Sequence, residues 1–114
     1  MVRTEARREA QALRAALPLL LLTFIGQRES YGYELVERLA EVGLAASTGL
    51  VYPVLTRFER EELVESRSAA STNGPPRRYF SLTPAGERAR DEASRQWRQI
   101  AAAVDRVTDA RGER

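Results

Sequence analysis

A chain of 114 residues has room for one domain of ordinary size. It contains neither cysteine nor histidine, which excludes disulfides, thiolate nucleophiles, zinc–thiolate sites and the most common general base. Enzymatic activity is therefore not expected, and neither is a metal or other cofactor. The formal net charge of +2 and the isoelectric point near 9.5 are only a weak indication of nucleic-acid binding.

The first predicted element is a helix that leads into an apolar run. Residues 3–16 are charged and helix-prone, and residues 15–25 are almost entirely apolar. Pro18 either kinks this helix or begins a second one. The pattern resembles a signal sequence, but Glu5 and Glu9 interrupt the basic stretch, no cleavage site follows, and the run is too short to span a bilayer. We therefore expect a buried helix in a cytoplasmic protein without a membrane partner.

The second predicted helix runs from Tyr31 to Val42. Ser30 is suited to be its N-cap, and Gly43 is well placed to end it in a left-handed conformation. Apolar residues recur at spacings of three and four, so one face of the helix should be buried. The expected buried stripe is Leu35, Leu39 and Val42, with Val36 beside it.

A short turn then leads to a third predicted helix. It begins at Ser47 or Thr48, either of which can cap it, and runs to about Glu62. The residues expected in the core are Val51, Leu55 and Phe58, and those expected in solvent are Arg57, Glu59, Arg60 and Glu61.

Two short strands and a long helix complete the chain. Residues 63–67 and 78–82 have strand-like composition and flank a loop over residues 68–76, which predicts a β-hairpin. Thr83 followed by Pro84 indicates a helix start, and this last helix should continue to about Asp109.

This order of elements predicts a mainly α fold with a two-stranded β wing, that is, a winged helix-turn-helix with a long C-terminal dimerisation helix. Residues 1–83 would form the N-terminal helix and the DNA-binding region. Residues 84–114 would form the dimerisation helix and tail of the same structural domain.

Two places in this fold are suited to contact DNA. The second helix of the pair enters the major groove with its N-terminal end, where hydroxyls and free N–H groups bind phosphate. Arginines at the exit of the loop suit phosphate or minor-groove contacts, and side-chain alternation would direct only one of an adjacent pair to DNA. Simple capping by the hydroxyls, and no role for the arginines, remain the alternatives. The candidate DNA contacts are Ser47, Thr48, Gly49, Tyr52, Thr56, Arg57, Arg77 and Arg78.

The last helix carries one long apolar stripe that is nearly heptad-like at its distal end. A small core cannot cover this length, so a partner chain is expected, and a homodimer would match a palindromic operator. Trp97 is interpreted as an interface anchor or, alternatively, as a stacking platform for a planar ligand. The stripe is Ala85, Ala89, Ala93, Trp97, Ile100, Val104 and Val107, and the candidate dimerisation residues are Leu13, Leu17, Trp97, Ile100, Val104 and Val107.

Four motifs occur in an order and spacing that resemble one known family. They are Tyr31-Gly32-Tyr33-Glu34-Leu35, Ser47-x-Gly49, Tyr52-Pro53-x-Leu55-x-Arg57-x-Glu59, and Gly74-Pro75-Pro76-Arg77-Arg78-Tyr79-x-x-Leu82-Thr83-Pro84-x-Gly86. Over roughly residues 13–107 the chain is similar to the PadR family of bacterial winged-helix repressors, in its short subfamily with one C-terminal helix.

The resemblance implies a homodimer joined through the first and last helices. It also implies binding to palindromic promoter DNA and, in several members, release by a small aromatic or drug-like molecule. Trp97 matches a tryptophan that lines an interfacial ligand pore in a multidrug-sensing member. The positions that match residues near DNA in the family are Tyr33, Ser47, Gly49, Tyr52, Arg57 and Arg78.

The sequence departs from the family pattern at two positions. Leu50 replaces a usual Thr, which removes a hydroxyl from the start of the third helix. Glu62 replaces the Gly that usually ends this helix, so the following turn is expected to differ.

Three functions remain open from the sequence. The first is a DNA-binding regulator, with repression and activation not distinguished. The second is a protein-interaction module with an apolar patch around Leu50. The third is a small-molecule-binding protein that uses Trp97.

Overall fold

The computed structural model describes the backbone of residues 2–112 and the side chains of residues 8 and 10–109. It has the predicted mainly helical architecture, with an antiparallel wing and a long C-terminal helix. One additional short strand lies between the first two helices. The elements are α1 (Val2–Gln27), β1 (Ser30–Tyr31), α2 (Gly32–Glu41), α3 (Thr48–Arg60), β2 (Val64–Ala69), β3 (Arg77–Leu82) and α4 (Pro84–Gly112).

Helix α1 runs through Pro18 without ending, so no second helix begins there. An internal proline costs about 3 kcal/mol, because it removes one hydrogen bond and crowds the preceding turn. Four α1 side chains are buried in the core, each worth about 1.5–3 kcal/mol, and this outweighs the cost. These side chains are Leu17, Leu21, Leu22 and Ile25.

The apolar part of α1 is longer than the sequence pattern suggested. The stretch Ala10–Gln27 has a mean hydropathy of 1.3 and is long and apolar enough, by length and composition, to cross a membrane. The expectation that it is too short was therefore wrong. Its buried residues pack in one cluster with side chains of α2, α3 and the sheet, including Leu35, Leu55 and Phe80, which is the arrangement of a core helix.

Strand β1 was not predicted, and it changes the role of Ser30. The sheet order is β1–β3–β2, with Ser30 opposite Phe80 and Tyr31 opposite Tyr79. Ser30 is fully buried and donates its hydroxyl hydrogen bond to the Arg28 carbonyl, 3.0 Å away. The predicted capping role of Ser30 is therefore wrong, because sheet pairing moves the N-cap of α2 to Tyr31.

Helix α2 ends in a Schellman turn, as its glycine predicted. Gly43 has a φ of +86°, and the N–H of Leu44 donates to the Leu39 carbonyl at 2.9 Å. Val42 is the C-cap and is 58% exposed, so its predicted place in the buried stripe is wrong. The rotation of the chain at the helix end turns this side chain outward.

Helix α3 ends in the same kind of turn, although the left-handed residue of this turn is Glu62 and not a glycine. Glu62 has a φ of +59°, and the N–H of Leu63 donates to the Phe58 carbonyl at 2.8 Å. The expectation that this turn would differ is therefore wrong. A left-handed conformation costs a residue with a Cβ about 1–2 kcal/mol. A hydrogen bond of 2.7 Å from the Thr83 hydroxyl to the Glu62 carbonyl helps to hold the turn.

The hairpin and the start of α4 complete the core. All six residues of β2 pair with β3, from Val64 opposite Leu82 to Ala69 opposite Arg77. Thr83 caps α4, since its hydroxyl accepts a hydrogen bond from the N–H of Gly86 at 3.0 Å. The core positions predicted in α3 are confirmed: Val51, Leu55 and Phe58 are buried.

Candidate nucleic-acid interface

The N-terminal end of α3 is exposed and carries no side-chain cap. Ser47 occupies the N-cap position, and its carbonyl accepts hydrogen bonds from Leu50 and Val51, both at 3.1 Å. Its hydroxyl makes no capping hydrogen bond, so the capping role predicted for Ser47 is not realised. Ser47, Thr48 and Gly49 are all exposed, which leaves hydroxyl and N–H donors at this helix end accessible to an anion.

A cleft of about 380 Å³ lies between the wing and a wall formed by the start of α2 and by Tyr52 in the second turn of α3. Tyr33 of α2 and Tyr52 of α3 are exposed on one side, and residues 74–77 of the wing form the other side. Gly32 allows Tyr52 to lie close to α2, because a Cβ at Gly32 would be 2.4 Å from the Tyr52 hydroxyl oxygen. The cleft therefore brings Tyr52 of α3 and the tip of the wing to opposite sides of one opening.

Arg77 lies on the outer face of the sheet in a stack of aromatic rings and guanidinium groups. Its guanidinium lies over the Tyr31 ring at 4.5 Å, and Arg67 lies over the Tyr79 ring at 5.0 Å. The two tyrosine rings meet edge to face, with their centroids 5.4 Å apart. Glu29 completes the stack through two hydrogen bonds from Arg67, of 2.9 and 2.7 Å.

These hydrogen bonds from Arg67 stabilise the ionised carboxylate and thereby lower the pKa of Glu29 below its ordinary value. Tyr31, Arg67 and Glu29 were not predicted to belong to this surface. Alternation along β3 would have placed Tyr79 on the face of Arg77. No sequence signal joins Glu29 to Arg67, which lies 38 residues further along the chain.

Arg78 projects to the opposite face of the sheet, as strand alternation predicts. Its Nη2 lies 2.5 Å from the Glu59 Oε2, and its Nε donates to the Ser66 hydroxyl oxygen at 3.0 Å. The Ser66 hydroxyl in turn donates to the Glu59 Oε2 at 2.7 Å. Arg78 is therefore held against the last turn of α3, whereas Arg77 has no such carboxylate neighbour among the described residues.

The side chains of α3 that face the wing lie on a different face of the helix from Arg57. Tyr52 and Glu59 are seven residues apart and share the face that meets the wing, whereas Arg57 lies about 160° around the helix from Glu59. The structure therefore does not bring Arg57 and Arg78 together. Thr56 and Arg57 are both exposed on α3.

Leu50 lies on the Arg57 side of α3 and borders an apolar groove of about 510 Å³. This groove runs between α1 and the turn that joins α2 to α3. The apolar patch expected around Leu50 is therefore present. Its lining residues are Ala10, Ala12, Leu13, Ala16, Gly43, Leu44, Ala45 and Leu50.

The apolar stripe of α4 is covered at its start and exposed at its distal end. Ala85, Ala89 and Ala93 are half-buried, whereas Trp97 is 44% exposed. Of the other candidate dimerisation residues, Leu13 is half-buried, but Leu17 has no accessible surface. Leu17 belongs to the core of its own chain and is not available to a partner. The exposed distal residues are Ile100 at 60%, Val104 at 52% and Val107 at 76%.

Residues 21–92 match the Transcriptional regulator PadR-like family. A transcriptional regulator of Mycobacterium tuberculosis is 34% identical over 91 residues, which cover 80% of this chain and 84% of the relative. The solved structure of a PadR-like transcriptional regulator from Bacillus cereus is 34% identical, with a TM-score of 0.76, and the alignment covers 86% of this chain and 96% of that one.

Bacillus subtilis PadR in complex with operator DNA has a similar fold. It is 19% identical, with a TM-score of 0.62, over 67% of this chain and 45% of that chain. The resemblance predicted from the four motifs is confirmed by the family match. Because the match covers most of the chain and includes the helix pair, the wing and the start of α4, this protein belongs to the PadR-like family of transcriptional regulators.

Proposed function

We propose that the chain is a DNA-binding repressor that acts in the cytoplasm as a homodimer on a palindromic promoter site and catalyses no reaction. The observation that carries the proposal is the position of the wing tip across one exposed cleft from Tyr52, which lies in the second turn of α3. A helix and a wing arranged in this way can bind DNA together, with the helix in the major groove and the wing on the neighbouring DNA backbone. The operator complex of Bacillus subtilis PadR provides a precedent for the same fold.

In this proposal the exposed donors of the helix pair bind phosphate oxygens and the outer side chains of α3 reach base edges. Arg77 contacts a phosphate or the minor groove, since it is exposed at the wing. Residues 1–83 form the DNA-binding region, and residues 84–114 join the two copies. The proposed phosphate contacts are Tyr33, Ser47, Thr48, Gly49, Tyr52, Arg77 and Arg78, and the proposed base contacts are Thr56 and Arg57.

Binding of this protein to DNA from the region upstream of its own gene is expected to weaken steeply as the salt concentration rises. Replacing Arg77 by Gln should reduce the slope of log K against log salt by about 0.9, because one phosphate contact is lost. Fluorescence anisotropy between about 50 and 200 mM salt measures this slope. Arg88→Gln removes the same charge from an exposed position on α4 and should leave the slope unchanged. Absent or salt-insensitive binding by the wild type would contradict the proposal.

A second copy of the chain is proposed to cover the distal stripe of α4. The helix has 29 residues and is about 43 Å long, so its distal half extends beyond the core that buries its first turns. Exposed apolar residues at spacings of three and four favour a helical partner over solvent. Two-fold symmetry would also present two copies of α3 to the half-sites of a palindrome.

Ile100→Asp is expected to convert the dimer into a monomer at micromolar concentration and to weaken operator binding at least tenfold. A buried unpaired carboxylate is strongly unfavourable in such an interface. Analytical ultracentrifugation measures the mass. Gln99→Asp introduces the same charge on the neighbouring exposed residue, outside the stripe, and should remain dimeric. A wild type that is monomeric throughout this range would refute the assembly proposed here.

A small planar aromatic effector is proposed to bind at Trp97. This residue lies in the middle of the stripe, and its exposed ring could stack on a ligand at the seam of the dimer. Quenching of the fluorescence of this single tryptophan would report such binding. The alternative role of the same ring is an anchor of the dimer interface, and the absence of quenching by planar aromatic ligands would count against the effector site.

The protein-interaction alternative is favoured by one observation, the apolar groove beside Leu50. The DNA titration separates the two functions. A chain that uses this fold only to bind protein would show no salt-dependent binding to its upstream DNA.

A further inference from the structure

The exposed arginines between residues 28 and 78 fall into two groups according to their partners. Three of them form ion pairs within 4.0 Å, whereas within the described part of the chain Arg57, Arg60 and Arg77 form none. The ion pairs are Arg28 with Glu34 at 3.1 Å, Arg67 with Glu29 at 2.7 Å and Arg78 with Glu59 at 2.5 Å.

The Arg78 pair matters most because Arg78 is a proposed phosphate contact and the edge of its guanidinium that is suited to phosphate is already bonded, as it also is in Arg67. Arginine meets a carboxylate or a phosphate with two parallel N–H groups, often those of Nε and one Nη. In Arg78 the Nη2 is bonded to Glu59 and the Nε is bonded to Ser66. The guanidinium also lies over the Phe80 ring, 5.6 Å from its centroid. Arg78 is therefore drawn back against α3.

Glu59 is the more firmly held partner of this pair. Its side chain is 26% exposed, whereas that of Arg78 is 57% exposed, and the Ser66 hydroxyl also donates to the Glu59 carboxylate. A phosphate approaching the wing would thus meet an exposed arginine whose binding edge is already used. Exposed ion pairs are weak, equivalent to no more than about a fivefold factor in an equilibrium constant, so DNA and Glu59 can compete for Arg78.

We propose that Glu59 is a built-in competitor of DNA phosphate for Arg78, and that this contact limits how tightly the protein holds DNA of any sequence. The inference rests on the proposed DNA-binding function. Non-specific affinity is supplied by phosphate contacts, so withholding one arginine lowers it directly. Arg77 lies over the Tyr31 ring but forms no ion pair among the described residues, so it contributes to binding from the start, whereas Arg78 contributes only after it leaves Glu59.

The test is Glu59→Gln, measured by anisotropy on operator and on scrambled DNA of the same length. Glutamine keeps the shape of the side chain and can still accept a hydrogen bond from Ser66, but it no longer holds the guanidinium by charge. We expect affinity for both DNAs to rise about two- to fivefold. The salt slope should change little, because Arg78 neutralises the same phosphate in both proteins and only the cost of leaving Glu59 is removed.

Two further variants make the test specific. Glu65→Gln removes the same charge from an exposed residue next to Ser66 in β2, whose side chain projects to the other face of the sheet. This variant controls for general repulsion between a carboxylate and DNA phosphate. The gain from Glu59→Gln beyond this control should vanish when Arg78 is also replaced by Gln, as a double-mutant cycle requires. Unchanged melting of each variant would show that folding is preserved.

The possible outcomes separate this inference from the proposed function. Weaker binding by Glu59→Gln would overturn the inference, because Glu59 would then orient Arg78 for DNA. A gain that persists without Arg78 would also overturn it, since simple repulsion would explain the result. If the wild type binds DNA but Glu59→Gln has no effect, only the inference fails. If neither protein binds DNA, the proposed function fails and the inference fails with it.

Discussion

Gly86→Ala is expected to destabilise the protein by about 2–3 kcal/mol, because there is no space for a methyl group at this position. Gly86 is buried in the first turn of α4, and a Cβ built on it would lie 2.0 Å from the Leu63 carbonyl oxygen. That oxygen also accepts the hydrogen bond from the N–H of Thr83, 3.1 Å away. The backbone of α4 would therefore have to move away from the turn before β2, which strains the cap of the helix.

Thermal melting at one protein concentration should show this loss as a fall in Tm of roughly 10 °C. Gly49→Ala is the matched control, because a Cβ there would meet only the Ser47 hydroxyl oxygen at 3.5 Å. Alanine is also the better helix former, so the control should melt at the same temperature or slightly higher. A Gly86→Ala protein that melts at the same temperature as the wild type would mean that α4 can shift without loss of stability.

Arg38→Ala is expected to cost about 2–4 kcal/mol, since this arginine joins three parts of the fold from within the core. It is 6% exposed, and its Nη1 donates to the Phe24 carbonyl at 2.8 Å and to the Ser30 hydroxyl oxygen at 2.9 Å. Its Nη2 donates to the Gln27 Oε1 at 2.7 Å. The end of α1, strand β1 and helix α2 are thereby linked through one guanidinium.

All three acceptors of Arg38 are neutral, and burial lowers its pKa below the ordinary value, with the nearby charge of Arg28 acting in the same direction. The charge is stabilised in part by the Phe24 ring, 4.5 Å from the guanidinium carbon, and by the partial negative charge at the C-terminal end of α1. Removing the side chain leaves buried acceptors without their donor and empties its volume in the core.

Chemical denaturation of Arg38→Ala and Arg28→Ala measures the loss in the free energy of unfolding that each substitution causes. Arg28 is exposed and forms one ion pair, with Glu34, so its loss should cost less than about 1 kcal/mol. Arg38→Lys should fall between the wild type and Arg38→Ala, because an ammonium group keeps the charge but cannot span the same acceptors. Equal losses for Arg38→Ala and Arg28→Ala would show that Arg38 makes no special contribution.

Much of the architecture was predictable from short-range patterns. The apolar spacing identified Val51, Leu55 and Phe58 as buried, and the pair Thr83-Pro84 correctly marked the start of α4. These features depend on residues within one or two turns of each other, so periodicity and capping preferences reveal them. Motif spacing also identified the family, because four separate motifs had to occur in the correct order.

The errors were made where a long-range contact decides a local conformation. Serine is a favoured N-cap residue, but the pairing of Ser30 with Phe80 places it in a sheet. Glu62 lacks the freedom of glycine, yet the packing of α3 against the start of β2 holds it in a left-handed turn at a cost of about 1–2 kcal/mol. Local propensities are small compared with the burial of several apolar side chains, so packing overrides them.

The sequence by itself determined which faces are apolar, where most helices begin and end, and the order of helices and wing. Only the tertiary structure decided how the charged residues are paired. Glu29 with Arg67, and the neutral contacts of Arg38, each connect segments between eight and 38 residues apart. A periodic spacing of apolar residues indicates that one face of an element will be buried, but it does not identify the element that covers this face. The partner of a charged side chain depends on the position of every neighbouring element.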